Sequence, residues 1–160
     1  MTGSTPPISK GGQQGAVLLV VLLFVLVSTL GASSLVEMHQ TQTRREKEEQ
    51  LLFVGDQYRR AIASYYGMVP PGGGRSLPRS IEDLLNDQRF TPPVQHLRRA
   101  YPDPMTGKLN WEFIDGVGGF AGVRSRSAME PIKKSGFPMD YQQFESSDSY
   151  ARWEFAIKVL

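Results

Sequence analysis

An uninterrupted apolar run near the amino terminus constrains this chain more than any other feature. Ala16 to Val27 contains no polar side chain, and the segment from Ala16 to Val36 contains no charged one. At about 1.5 Å per residue, a helix of that length crosses a hydrocarbon core of roughly 30 Å. The sequence therefore predicts a transmembrane helix over residues 16–36, with the rest of the chain on one side of the membrane.

Three interpretations of this segment stay open. It could be a secretory signal peptide cut near Ala32 or Ser34, where small residues cluster, although its apolar run exceeds the usual signal core of about 7–15 residues. It could be a plain signal anchor. The third interpretation depends on the polar leader, residues 1–15, which ends in Gly15 directly before the apolar run.

This leader and helix resemble the prepilin signal of type IV pilins and pseudopilins. The resemblance implies that a prepilin peptidase cuts between Gly15 and Ala16 and methylates the new amino terminus at Ala16. It also implies that the mature helix assembles with the helices of other subunits inside the membrane. The assembly residues predicted on this basis are Val17, Leu18, Leu19, Val20 and Phe24.

The leader departs from the family pattern at the fifth mature position. Val20 stands where the family usually has Glu, whose carboxylate would cost a few kcal/mol in the membrane unless paired. Within the resemblance, a missing Glu is typical of minor subunits that cap or start a filament. Basic residues also follow the helix, and this charge pattern alone would place the body in the cytoplasm. The leader instead implies a cytoplasmic amino terminus and a periplasmic domain.

The composition excludes several classes of function. A net charge of +2 over 160 residues argues against a nucleic-acid platform. The chain has no cysteine, so disulfides, thiolate catalysis and cysteine-based zinc sites are excluded. The part beyond the first helix is long enough for one modest domain.

The helix is predicted to continue as an amphipathic stem over residues 37–66. This stretch has no proline and only one glycine, Gly55. A charged run, residues 44–49, reads as a solvated helix surface or as a surface that packs against the stems of neighbouring subunits. Apolar residues then recur at a spacing of three to four: Leu51, Leu52, Val54, Tyr58, Ile62, Tyr65 and Tyr66.

Residues 67–160 are predicted to form a small globular domain. A Pro- and Gly-rich stretch, residues 70–74, ends the stem. Ser80 with Asp83 resembles a capping box for a short helix over 81–86, and a second helix is predicted over 93–99. The stretch 101–108 has turn chemistry, and 115–119 reads as a hairpin loop. Alternating patterns predict strands over Leu109–Ile114, Phe120–Arg126 and Arg152–Val159.

The order of these segments extends the resemblance over most of residues 12–160. A charged stem, a Pro-rich loop, Ser80-Ile81-Glu82-Asp83-Leu84-Leu85 and Tyr101-Pro102-Asp103-Pro104 before a sheet resemble a major-subunit-like pseudopilin of type II secretion. The expected fold is α+β and pilin-like, a long helix packed by a small antiparallel sheet. The implied partners are the prepilin peptidase, other pilin-like subunits, and the inner membrane with its assembly platform.

No catalytic site is predicted, and the chain is not expected to be an enzyme. His39 and His96 are isolated in sequence and are expected at the surface, and no Ser–His–Asp set is assembled from sequence alone. No cofactor is expected. The resemblance offers Glu145 and Asp148 as calcium candidates, with a plain polar loop as the alternative. A membrane-anchored periplasmic binding domain that does not polymerise is the alternative function, while an anchored hydrolase would need a clustered site.

Overall fold

Helix α1, Gly11–Gly67, is the longest element of the computed structural model. The structure describes residues 11–158, with the side chains of residues 15–26 and 41–158, so most of the predicted leader lies outside it. The chain divides into two compact units between Thr43 and Arg44. No proline occurs between residues 8 and 69, and the helix already includes Gly11, which precedes the predicted start at Ala16.

The first unit contains the amino-terminal part of α1. Every residue from Gly15 to Leu26 is exposed. Within the described residues, no helix combines the length and apolar character that a membrane crossing requires. Residues 27–36 of the predicted span, and His39 beyond them, lie outside the residues whose side chains are described.

The second unit is organised around the carboxyl-terminal part of α1, whose apolar face is buried. The buried residues follow the predicted spacing of three and four, while Leu52 and Tyr66 of the predicted stripe are half-buried. The buried residues are Leu51, Val54, Tyr58, Ala61, Ile62 and Tyr65. Gly55 lies on the same face, where an added Cβ would overlap the ring of Phe155. The absence of a side chain at Gly55 therefore allows the helix to approach the sheet closely.

A three-stranded antiparallel sheet packs against this face. Its strands are β1, Glu112–Gly116, β2, Gly119–Arg124, and β3, Phe155–Ala156, in the order β1-β2-β3. Phe113 pairs with Val123, and Val123 pairs in turn with Phe155. The α+β class, the small antiparallel sheet and the hairpin turn between β1 and β2 are confirmed.

Two strand predictions were partly wrong. The first strand was expected over Leu109–Ile114, but β1 begins at Glu112, so that the buried Trp111 lies before it, and Phe113 within it is 42% exposed. The last strand was expected over 152–159, yet of the described residues only Phe155 and Ala156 pair with β2, followed by one bond from the Ile157 N–H to the Ala121 carbonyl. Its predicted start, Arg152, belongs to a 3-10 helix, where the Trp153 N–H bonds to the Tyr150 carbonyl. Val159 lies outside the described residues.

Short elements complete the second unit. Helix α2, Ile81–Leu85, begins at the predicted capping box, in which the Ser80 and Asp83 side chains each accept the other's backbone N–H. The helix predicted over 93–99 is absent from the described chain, because Val94 pairs through its backbone with Asp87 instead. Two 3-10 helices, Met139–Ser146 and Tyr150–Arg152, precede β3.

Candidate functional site

The first candidate surface is the exposed apolar segment of α1, residues 16–26. The side chains from Val17 to Leu26 are 53 to 73% exposed. The predicted cleavage residues Gly15 and Ala16 are also exposed. All five predicted assembly residues lie on this segment: Val17 at 63%, Leu18 at 64%, Leu19 at 69%, Val20 at 66% and Phe24 at 73%.

Exposing this segment to water is costly. Fully burying a Val, Leu or Phe side chain is worth about 1.5–3 kcal/mol, and roughly half of that remains to be gained per residue here. Summed over residues 17–26, covering the surface would contribute on the order of 10 kcal/mol. A helix that is apolar on all sides is typical of a membrane span or of the core of a larger assembly.

A buried carboxylate anchors the second unit near its start. Glu48 is only 3% exposed, and its Oε1 accepts hydrogen bonds from the Ile132 N–H at 2.6 Å, the Lys133 N–H at 3.1 Å and the Tyr150 hydroxyl at 2.8 Å. Burial, followed by this hydrogen bond to Glu48, raises the pKa of Tyr150 to about 12. Glu48 is therefore a buried hydrogen-bond acceptor within the second unit. This corrects the prediction that the whole charged run 44–49 is a solvated or intersubunit surface.

The two calcium candidates, Glu145 and Asp148, each interact with a different partner. The Glu145 carboxylate accepts the Gly136 N–H at 3.2 Å, and the Asp148 carboxylate forms an ion pair with Arg152 at 3.1 Å. Among the described side chains, residues 15–26 and 41–158, no three His, Asp or Glu residues gather as a metal-binding group.

A buried polar cluster joins the end of α1 to the loop that follows α2. Asp87 is 1% exposed, and both of its carboxylate oxygens bond to Arg89, with contacts of 2.7 to 3.1 Å. Arg89 also donates to the Tyr65 carbonyl at 2.9 Å and lies 3.5 Å from the centre of the Tyr65 ring. Burial opposes ionisation of Asp87, but the hydrogen bonds from Arg89 and His96 outweigh it and lower its pKa to about 2.

His96 belongs to this cluster, so its predicted surface position was wrong. Its side chain is 1% exposed because the ring packs against Tyr65, with 5.4 Å between centroids. Its Nε2 lies 3.1 Å from Asp87 Oδ2, and its Nδ1 lies 2.8 Å from the Ser64 hydroxyl. The structure thus brings together a Ser–His–Asp set that the sequence did not reveal.

A third buried carboxylate was missed in the predicted turn 101–108. Asp103 is fully buried, accepts the Met105 N–H at 2.9 Å and receives the Ser125 hydroxyl at 2.7 Å. Its backbone pairs with Lys108, and the Gly107 N–H bonds to its carbonyl at 2.7 Å. The Pro-Asp-Pro pattern signalled the turn, but nothing local to it indicated the contact with Ser125 at the end of β2.

No protein-family profile, curated protein or solved structure matches the chain.

Proposed function

We propose that this protein is a pseudopilin-like subunit of a type II secretion or type IV pilus-related assembly, polymerising through its amino-terminal helix. The observation that carries the proposal is the exposed, uncharged surface of α1 over residues 16–26. Burial of this surface, which contributes on the order of 10 kcal/mol, would be provided by lipid before assembly and by the same helix of other subunits afterwards. The second unit supports the proposal, because its own sheet and loops already cover the apolar face of residues 51–65.

The proposal includes processing and topology. The prepilin peptidase would cut between Gly15 and Ala16 and methylate Ala16 at the cytoplasmic face of the inner membrane. The chain would then cross that membrane once, with residues 67–160 in the periplasm. Because Val20 replaces the usual Glu, we propose a place at the end or start of a filament rather than in repeated positions along it. Other pilin-like subunits and the assembly platform are the proposed partners.

Mass spectrometry of the full chain, produced with and without a prepilin peptidase, tests the processing step. The expected product begins at Ala16 and carries one added methyl group. A Cβ at Gly15 would meet nothing within 4 Å, so Gly15→Val should block cutting without disturbing the fold. Gly12→Val is the matched control and should be cut normally. An intact Met1 in the presence of the peptidase, or a start near Ser33, would refute the proposal.

Crosslinking separates polymerisation from the alternative of an anchored domain that binds envelope components alone. A photoreactive residue at position 20 should capture the helices of other pilin-like subunits. The same group at position 63, where Ala63 is exposed on the stem, controls for nonspecific capture. If position 20 captures only lipid while processing proceeds normally, the non-polymerising alternative is favoured.

A further inference from the structure

Ser64, His96 and Asp87 form a hydrogen-bonded series that the proposed assembly role does not use. The Ser64 hydroxyl lies 2.8 Å from His96 Nδ1, and His96 Nε2 lies 3.1 Å from Asp87 Oδ2. Ser64 is exposed, whereas the side chains of His96 and Asp87 are each 1% exposed. This order of hydroxyl, imidazole and carboxylate is the arrangement that activates a serine nucleophile.

The carboxylate decides which imidazole nitrogen carries the proton. Asp87 is ionised at neutral pH and only accepts hydrogen bonds, so in the neutral imidazole His96 Nε2 carries the proton and donates it to Asp87. Nδ1 is then the bare nitrogen and accepts the hydrogen bond of the Ser64 hydroxyl. The serine proton is therefore already directed at a base.

Arg89 keeps the carboxylate in place. Its guanidinium binds both oxygens of Asp87, donates to the Ser76 hydroxyl at 2.9 Å and lies over the Tyr65 ring. Because several bonds from Arg89 hold the Asp87 carboxylate that contacts His96 Nε2, the imidazole has little freedom to turn away from Ser64. The geometry is thus preorganised rather than formed on binding.

We propose that Ser64 is a covalent acylation site that accepts an acyl group from an activated ester, with His96 as the general base and Asp87 as the positioning residue. The Ser64 Oγ attacks the ester carbonyl carbon, and its proton passes to His96 Nδ1. The bond between that carbon and the leaving oxygen breaks, and the leaving alcohol takes the proton back from Nδ1. The products are acyl-Ser64 and a free alcohol, with His96 neutral again.

The surroundings set the rate of this reaction. Ser64 lies within α1, where the helix uses the backbone N–H groups, so the amides next to Ser64 are not free to bind the developing oxyanion. Arg60 precedes Ser64 by one turn, but its Nε bonds to Asp56 Oδ2 at 2.6 Å, one turn further from Ser64. Lack of an amide donor costs roughly 10²–10³ in rate, so small activated esters are the expected donors.

Acetylation of the full chain by p-nitrophenyl acetate at neutral pH tests the proposal. Peptide mass spectrometry would follow acetyl groups at Ser64 and at Ser146, an exposed serine whose hydroxyl bonds to a backbone carbonyl and to no histidine. Since base catalysis contributes about 10²–10⁴, Ser64 should react at least about tenfold faster than Ser146. Equal rates at the two serines would overturn the proposal.

Variants identify the role of each residue. Ser64→Ala should abolish the fast site and leave acetylation of Ser146 unchanged. His96→Gln and Asp87→Asn should each lower the Ser64 rate relative to Ser146, and thermal unfolding would show whether each variant is folded. A folded His96→Gln chain that keeps the fast rate at Ser64 would refute the assigned base. If neither variant folds, the ratio of the acetylation rates at Ser64 and Ser146 in the unaltered chain still tests the proposal.

Discussion

Replacing Glu48 by Gln should destabilise the second unit strongly, because one buried oxygen serves three donors. Oε1 accepts the backbone N–H groups of Ile132 and Lys133 and the hydroxyl of Tyr150. A glutamine keeps the shape and one acceptor oxygen but loses the charge. Hydrogen bonds to charged groups contribute about 1.5–3 kcal/mol and neutral ones about 0.5–1.5, a difference of about 1 kcal/mol per bond. Three such bonds predict a loss of about 3 kcal/mol in the free energy of unfolding.

Urea unfolding followed by the fluorescence of the fully buried Trp153 measures this loss. With a typical slope of 1–3 kcal/mol per molar urea, the midpoint should fall by about 2 M. The matched control is Glu49→Gln, because Glu49 is the exposed neighbour and should change stability by less than about 0.5 kcal/mol. If the two variants unfold at the same urea concentration, the stabilising role of Glu48 as a buried hydrogen-bond acceptor is refuted.

Three further outcomes are expected in the second unit. Gly55→Ala should destabilise it by about 1–3 kcal/mol, because the new Cβ would overlap the Phe155 ring between helix and sheet. Asp87→Asn should remove about 2 kcal/mol of stability at neutral pH, and this difference should vanish as pH falls from 4 to 2, because the folded pKa of Asp87 lies below its unfolded value. Millimolar calcium should shift the melting temperature by less than about 1 °C, since Glu145 and Asp148 are engaged separately.

Each of these outcomes has its own control. Gly67→Ala tests whether the effect at Gly55 is steric, because a Cβ at Gly67 would meet nothing within 4 Å. For Asp87, the assigned pKa would be contradicted if the free energies of unfolding of the unaltered chain and of Asp87→Asn differed by a constant amount down to pH 2. For calcium, stabilisation that is lost in Glu145→Gln would show that the candidate loop binds the ion.

The stem and its end could be predicted because their signals are local. Buried residues recur at the helical period from Leu51 to Tyr65, and the glycines and prolines of 70–74 prevent the helix from continuing. The capping box of Ser80 and Asp83 spans three residues, so it could be read before any tertiary contact was known. The hairpin between β1 and β2 follows from its glycine-rich turn in the same way.

The predictions of secondary structure were wrong where backbone groups bond to residues outside the predicted element. The helix expected over 93–99 was replaced by pairing between Val94 and Asp87, which a helical pattern does not encode. The last strand was shortened because a 3-10 helix takes Arg152, so that among the described residues Phe155 and Ala156 pair with β2 and the Ile157 N–H adds one bond to the Ala121 carbonyl. Periodicity indicates which side of a segment is apolar, but the partner strand determines how many of its residues pair.

The sequence by itself determined the uncharged apolar segment, the amphipathic stem and the α+β class, since each depends on composition or on spacing within a few turns. Only the tertiary structure decided which polar residues are buried. Glu48 meets the Tyr150 hydroxyl across 102 residues, and His96 meets Ser64 across 32. A buried charge or imidazole is stable only where donors and acceptors converge on it, and such convergence is a property of the packed chain rather than of any local pattern.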